Sequence, residues 1–162
     1  MSVFSNYQKL IQKIDQLCSK IQSLYKDHIN CGKGCSKCCI SDLTLFPVEF
    51  DYIRDKIKHK KIKLNKTKGT CVMLDNGQCQ IYEYRPLVCR TQGYPLLYGE
   101  ELSLCDINFK NMHGAFCFSA GTLIDMDKVN SVLAAVDLEY VKEVGKLSSL
   151  KDKRYDICDL VK

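Results

Sequence analysis

Four thiols fall within nine residues of this chain, in the order Cys31-x3-Cys35-x2-Cys38-Cys39, written CGKGCSKCC. Thiolate sulfur is the preferred ligand of zinc and of iron–sulfur clusters. A Cys-x2-Cys step lets two sulfurs reach one metal from a tight turn, and Gly32 and Gly34 let the backbone fold back without steric cost. The adjacent pair Cys38-Cys39 adds a constraint. Neighbouring side chains point to opposite faces of a strand and diverge by about 100° around a helix. One tetrahedral mononuclear centre is therefore hard to build from both. Either the two serve separate centres, or they bind different atoms of one cluster.

The second cysteine-bearing block is TCVMLDNGQCQIYEYRPLVCRTQGYPLLY, residues 70–98. Short apolar runs at 71–74 and 79–82 flank Asp75-Asn76-Gly77, a hairpin signal. A two-residue Asn76-Gly77 turn pairs Leu74 with Cys79 and sets Cys71 and Cys79 on opposite faces. A three-residue loop with Gly77 left-handed pairs Met73 with Cys79 and sets both thiols on one face. Pro86 suits the opening of a helical turn that carries Cys89 and Arg90. Gly93 and Pro95 end it. Cys105 follows among apolar neighbours in LCDINF. Cys18, Cys117 and Cys158 sit in apolar settings that suit buried structural thiols.

Compartment decides what eleven cysteines mean. The N-terminal residues MSVFSNYQKLIQKIDQL have no basic stretch leading into an uninterrupted apolar run and no small-residue cleavage site. Nowhere are there the ~18 consecutive apolar residues of a membrane span. The expectation is a cytoplasmic protein in which disulfides do not persist. An odd cysteine count also suits a disulfide framework poorly, which leaves metal binding. The net charge of +5 is mostly lysine, with seven lysines between Lys56 and Lys68. No aromatic residue interleaves them, so a stacking platform for bases is missing and nucleic acid is not an expected partner.

Residues 3–29 carry an apolar stripe at Tyr7, Leu10, Ile14, Leu17, Ile21, Leu24 and His28, which predicts an amphipathic helix packed on its own domain. Ile40–Leu45 reads as a short strand or extended link. Pro47 starts a second helix with Phe50, Ile53 and Ile57 on its apolar face, and Glu49 and Asp51 suit its N-terminal end. Asp127 is placed to cap a long helix over about 128–144, stopped by Gly145. His28, His59 and His113 are too scattered to nominate a catalytic base.

These pieces together resemble the family of zinc- or iron-chelating domains marked by a CxxCxxCC motif, the YkgJ-type cysteine cluster proteins. The matching segments are CGKGCSKCC at 31–39, the proline–glutamate helix start at Pro47 and Glu49, CVMLDNGQCQIYEYRPLVCRTQGYP at 71–95, and LCDINF at 104–109. The resemblance implies a metal-chelating protein whose ligands are Cys31, Cys35, Cys38, Cys39, Cys71, Cys79, Cys89 and Cys105. The metal is zinc or iron, with an iron–sulfur cluster included, and is structural or carried. Arg85 and Arg90 match the family's arginines; they either offset thiolate charge through bonds to sulfur or pair with Glu83 or a neighbouring carboxylate. Two other functions stay open. One is an iron–sulfur oxidoreductase or methyltransfer-associated protein, since flagellin lysine methylases carry a similar cysteine domain. The other is an interaction module docking through the N-terminal helix. The expected fold is α+β and mainly helical, a small single domain with a short β-hairpin and a cysteine-ligated metal centre. Residues 1–30 form the packing helix, 31–146 the chelating domain and 147–162 a tail. Eight ligands at four per metal imply two ions or one polynuclear cluster. Ligands spread from Cys31 to Cys105 imply that metal is needed for folding.

Overall fold

The computed structural model describes residues 2–31, 34–40, 43–112, 114–150 and 152–161. The elements follow in chain order. Helix α1 spans Ser5–Leu24, strand β1 Thr44–Leu45 and helix α2 Pro47–Ile57. Strands β2 (Leu74–Asp75) and β3 (Gln78–Cys79) precede the short helix α3, Leu87–Thr91. Strands β4 (Leu96–Tyr98), β5 (Glu101–Ser103) and β6 (Ile124–Asp125) lead into helix α4, Met126–Glu143. A single turn α5 (Leu147–Leu150) and strand β7 (Tyr155–Asp156) follow, and a 3-10 turn over Ile157–Val161 comes last. The arrangement is α+β: a layer of helices with three small sheets attached.

Helix α1 packs on α3 and α4, and α2 packs on α4. The buried face of α1 is wider than the stripe read from the sequence. Tyr7, Leu10, Ile14 and Ile21 are buried, joined by Ile11 and Cys18, whereas Leu24 is 57% exposed. That is the period of 3.6 expected of a helix lying on a globular core, broader than a coiled-coil seam. The stripe is thus occupied within the chain itself.

Helix α4 begins two residues earlier than the sequence suggests, because Asp125 and not Asp127 is its cap: the Asp125 carboxylate accepts from the Lys128 N–H at 2.9 Å. Asp127 instead accepts from the Gly99 N–H at 2.8 Å and ties the β4–β5 turn to the helix. Gly145, with φ of 68°, supplies the left-handed residue after the helix.

The sheets are small. β1 pairs antiparallel with β7, and β4 lies between β5 (antiparallel) and β6 (parallel). The β4–β6 pairing joins segments with no turn signal between them, and nothing local in the sequence announces it.

Glu49 shows how the core fixes the second cysteine block. It is 3% exposed, yet one of its oxygens accepts from the Tyr7 hydroxyl (3.2 Å) and the Leu87 N–H (3.0 Å), and the other from the Phe46 N–H (3.3 Å). Burial raises its pKa, and those three donors pull against that rise. The carboxylate therefore joins α1, the start of α2 and the start of α3. Glu49→Ala would leave three donors without an acceptor. We expect a loss of about 3 kcal/mol, read as a lower urea midpoint with an unchanged denaturant slope.

Candidate metal centre

The eight motif cysteines arrive from four places. Cys31, Cys35, Cys38 and Cys39 lie on an irregular loop, Cys71 and Cys79 flank and enter the β2–β3 hairpin, Cys89 sits on α3, and Cys105 follows β5. None of the eight is in a disulfide.

Backbone bonds bring these segments together. The Cys71 N–H donates to the Cys39 carbonyl at 3.0 Å, which seats the second block directly on the end of the first. The Phe109 N–H donates to the His28 carbonyl at 2.9 Å, and the Asn108 side-chain oxygen accepts from the N–H groups of Asn30 and Cys31, each at 2.8 Å. The segment carrying Cys105 is thereby laid against the start of the cluster loop. An aromatic triangle backs this contact, with Tyr25, Phe109 and Phe118 packed edge to face at 5.4–6.1 Å between ring centres. At the hairpin tip, a Cβ on Gly77 would lie 3.9 Å from the Gly34 carbonyl. Both glycines are left-handed, with φ of 75° and 92°, so two tight turns can face each other there.

The hairpin takes the two-residue form. Leu74 pairs with Cys79 and Asp75 with Gln78, and Asn76 and Gly77 both have positive φ. That register does not separate Cys71 from Cys79, because Cys71 precedes the strand. The chain turns between them, the Leu74 N–H bonding the Cys71 carbonyl at 3.1 Å, and Cys71 disfavours ionisation of Cys79. Cys38 and Cys39 end a turn closed by the Cys39 N–H on the Ser36 carbonyl at 2.9 Å, and the charge of Cys38 disfavours ionisation of Cys39. The expected divergence assumed regular backbone, and a turn is neither strand nor helix.

Electrostatics sorts the eight thiols. Burial, the thiol of Cys35 and the charges of Cys35, Cys38 and Cys105 push Cys31 up to about 11. Burial followed by Cys38, Cys71 and Cys79 pushes Cys39 up to about 12. Burial dominates at Cys89, whose thiol is also raised by Cys71, Cys79, Cys39 and Cys38. Cys38 is raised by burial and then by Cys35 and Cys105. Two neighbourhoods emerge: Cys31, Cys35, Cys38 and Cys105 in one, and Cys39, Cys71, Cys79 and Cys89 in the other. They adjoin at the Cys38–Cys39 peptide. Among the described residues no three His, Cys, Asp or Glu side chains converge tightly enough to hold a metal ion between them. The arrangement is a pair of thiol neighbourhoods, not finished coordination shells. Their donor chemistry, sulfur throughout, fits a thiophilic metal.

The arginines divide their roles. Arg90, 6% exposed at its side chain, donates to both Asp15 oxygens (3.0 and 2.8 Å) and to the Arg85 and Glu83 carbonyls. It is a carboxylate pair, but the partner is Asp15 on α1 and not the Glu83 carboxylate. Arg85 lies 4.0 Å over the Tyr82 ring, donates to the Tyr82 carbonyl, and favours the Cys79 thiolate. Nothing in the sequence singles out Asp15, which reads as one more polar residue on the outer face of α1.

Comparison with known families gives one match. The family described as "CxxCxxCC: Putative zinc- or iron-chelating domain" covers residues 30–113. The chain belongs to this family. No curated protein and no solved structure matches the chain. The CxxCxxCC segment contains all eight motif cysteines and excludes Cys18, Cys117 and Cys158. Of these three, Cys18 is buried, its thiol 3.6 Å from the Arg90 carbonyl, and burial pushes it up to about 12. Cys117, expected to be buried, is half-buried beside Phe116, which is 90% exposed; Cys158 is half-buried too. Alanine at each of the three should leave metal content unchanged by elemental analysis. Cys18→Ala should cost about 1–3 kcal/mol of packing, and the other two less.

Proposed function

We propose that this CxxCxxCC protein chelates zinc or iron through two sets of four cysteines, the metal holding the irregular half of the domain in shape or being carried there. The first set is Cys31, Cys35, Cys38 and Cys105; the second is Cys39, Cys71, Cys79 and Cys89. The observation that supports this most is the docking of the motif segments, the Cys71 N–H on the Cys39 carbonyl for the second set and the Cys31 N–H on the Asn108 oxygen for the first, which gathers four sulfurs per set, the number a closed tetrahedral site uses. A bound thiophilic ion would supply charge that stabilises the thiolates and cross-links the loop, hairpin and α3. Arg85 would add favourable charge beside Cys79, while Glu49 and the Arg90–Asp15 pair hold α3 and Cys89 in place.

The adjacency of Cys38 and Cys39 in one turn, one residue in each set, specifically favours neighbouring metal atoms, as in a polynuclear iron–sulfur cluster. Anaerobic purification with metal and acid-labile sulfide analysis distinguishes the forms. Colourless protein with zinc and no sulfide indicates two zinc sites, and brown protein with iron and sulfide indicates a cluster. Protein that takes up neither metal under reducing conditions would refute the proposal. No helix among the described residues is long and apolar enough to cross a membrane.

A further inference from the structure

We infer that Asn108 is a positioning residue for metal capture, holding Cys31 within reach of Cys105 and so assembling the first set before metal arrives. This rests on the metal-chelating reading. Asn108 is 2% exposed. Its oxygen accepts from two successive amides, those of Asn30 and Cys31, and its amide nitrogen donates to the Gly93 carbonyl at 2.7 Å. One side chain thus joins three segments: the start of the cluster loop, the stretch carrying Cys105, and the turn after α3.

The cluster loop has no regular structure among its described residues, so no ladder of backbone bonds places Cys31. The Asn108 oxygen does so instead, together with the adjacent bond from the Phe109 N–H to the His28 carbonyl. Cys105 lies three residues before Asn108, and its sulfur accepts from the Ile107 N–H at 3.5 Å, which keeps that short stretch folded back on itself. Asparagine suits the position because it presents an acceptor and a donor at once. An aspartate would keep both bonds to the loop amides but set an oxygen against the Gly93 carbonyl. Groups that orient ligands from outside the coordination shell typically contribute 10–100-fold in metal affinity.

The test is a titration of metal-free, reduced protein with cobalt(II), whose thiolate charge-transfer absorption reports each set, alongside native mass spectrometry with zinc. Asn108→Ala should weaken one of two binding events by about 10–100-fold and leave the other in place. Asn108→Asp, which retains the acceptor, should recover most of that loss. Leu133→Ala, a packing change in α4, should lower the thermal midpoint and leave both affinities alone. If Asn108→Ala does not fold, Asn108→Thr, too short to bridge both amides, supplies the same comparison. Equal affinities in the unaltered and Asn108→Ala proteins would overturn the inference. So would affinities that fall in step with the thermal midpoint in every variant, or an Asn108→Asp protein as impaired as the alanine. An unaltered protein that binds neither cobalt nor zinc nor iron would instead overturn the metal reading, and this inference with it.

Discussion

Stripping the metal anaerobically with a chelator should leave α1, α2 and α4 folded, with the Asn108 bonds to Asn30, Cys31 and Gly93 in place, and dissolve the order of residues 34–39 and 71–89. The sequence suggests a wholesale collapse, because the ligands tie distant segments together. The core argues for a divided outcome. Tyr7, Ile21, Val48, Ile53, Leu133 and Val141 are buried among the three long helices and do not depend on any thiol. The hairpin strands are two residues each and α3 is five, too short to persist without an anchor. Far-UV circular dichroism should therefore fall modestly, while amide protection vanishes across the two cysteine segments. The thermal midpoint should drop by at least about 10 °C, as a loss of several kcal/mol produces in a chain of this size. Acid should do the same by competition. Burial holds the Cys39, Cys79 and Cys89 thiols above the ordinary range, so protons displace metal as pH falls and binding strengthens as it rises. An unchanged midpoint and unchanged exchange after metal removal would rule this out.

Exchanging Cys38 or Cys39 for alanine should give two different proteins if the two sets hold separate ions. Native mass spectrometry of the unaltered chain should then show two metals. Cys38→Ala should keep the ion of the second set, and Cys39→Ala that of the first. If the sets share one polynuclear cluster, either change should remove all iron and all sulfide together. Both results agree with eight sulfur ligands. A single mononuclear ion in the unaltered protein would not, and would reduce at least four of the eight cysteines to packing. Cys89→Ala should behave as Cys39→Ala does, because burial and the same neighbours surround both thiols.

The chemistry was more legible than the scaffold. Cysteine types and spacing mark the two cysteine blocks, and the family resemblance supplies the eight candidate thiols, since sulfur ligands come in clusters and tolerate few substitutes. Pro47 and the spacing of Phe50, Ile53 and Ile57 mark α2 to within its ends, because proline and an apolar period are local signals. The Asn76-Gly77 turn was visible, but its consequence for Cys71 was not. Register arguments hold only while the strand lasts, and β2 begins three residues after Cys71. The distant partners of Asp15, Glu49 and Asn108 escaped for a common reason. They lie 75, 38 and 77 residues away, and a single polar residue carries no local sign of which distant donor it will meet.

The lysine-rich stretch between the two cysteine blocks closes on itself. The Asn65 N–H bonds the Val72 carbonyl at 2.9 Å, its side chain reaches the Leu74 carbonyl, and Gln80 clasps both backbone groups of Lys63. Residues 66–70 therefore form a surface excursion whose two feet are pinned independently of its length. Chain inserted there adds only loop-closure entropy, about 0.6 kcal/mol for each doubling, and transmits no displacement to Cys39 or Cys71. The count of residues separating the two halves of the cysteine pattern is thus free to drift, whereas the spacing within each half is not.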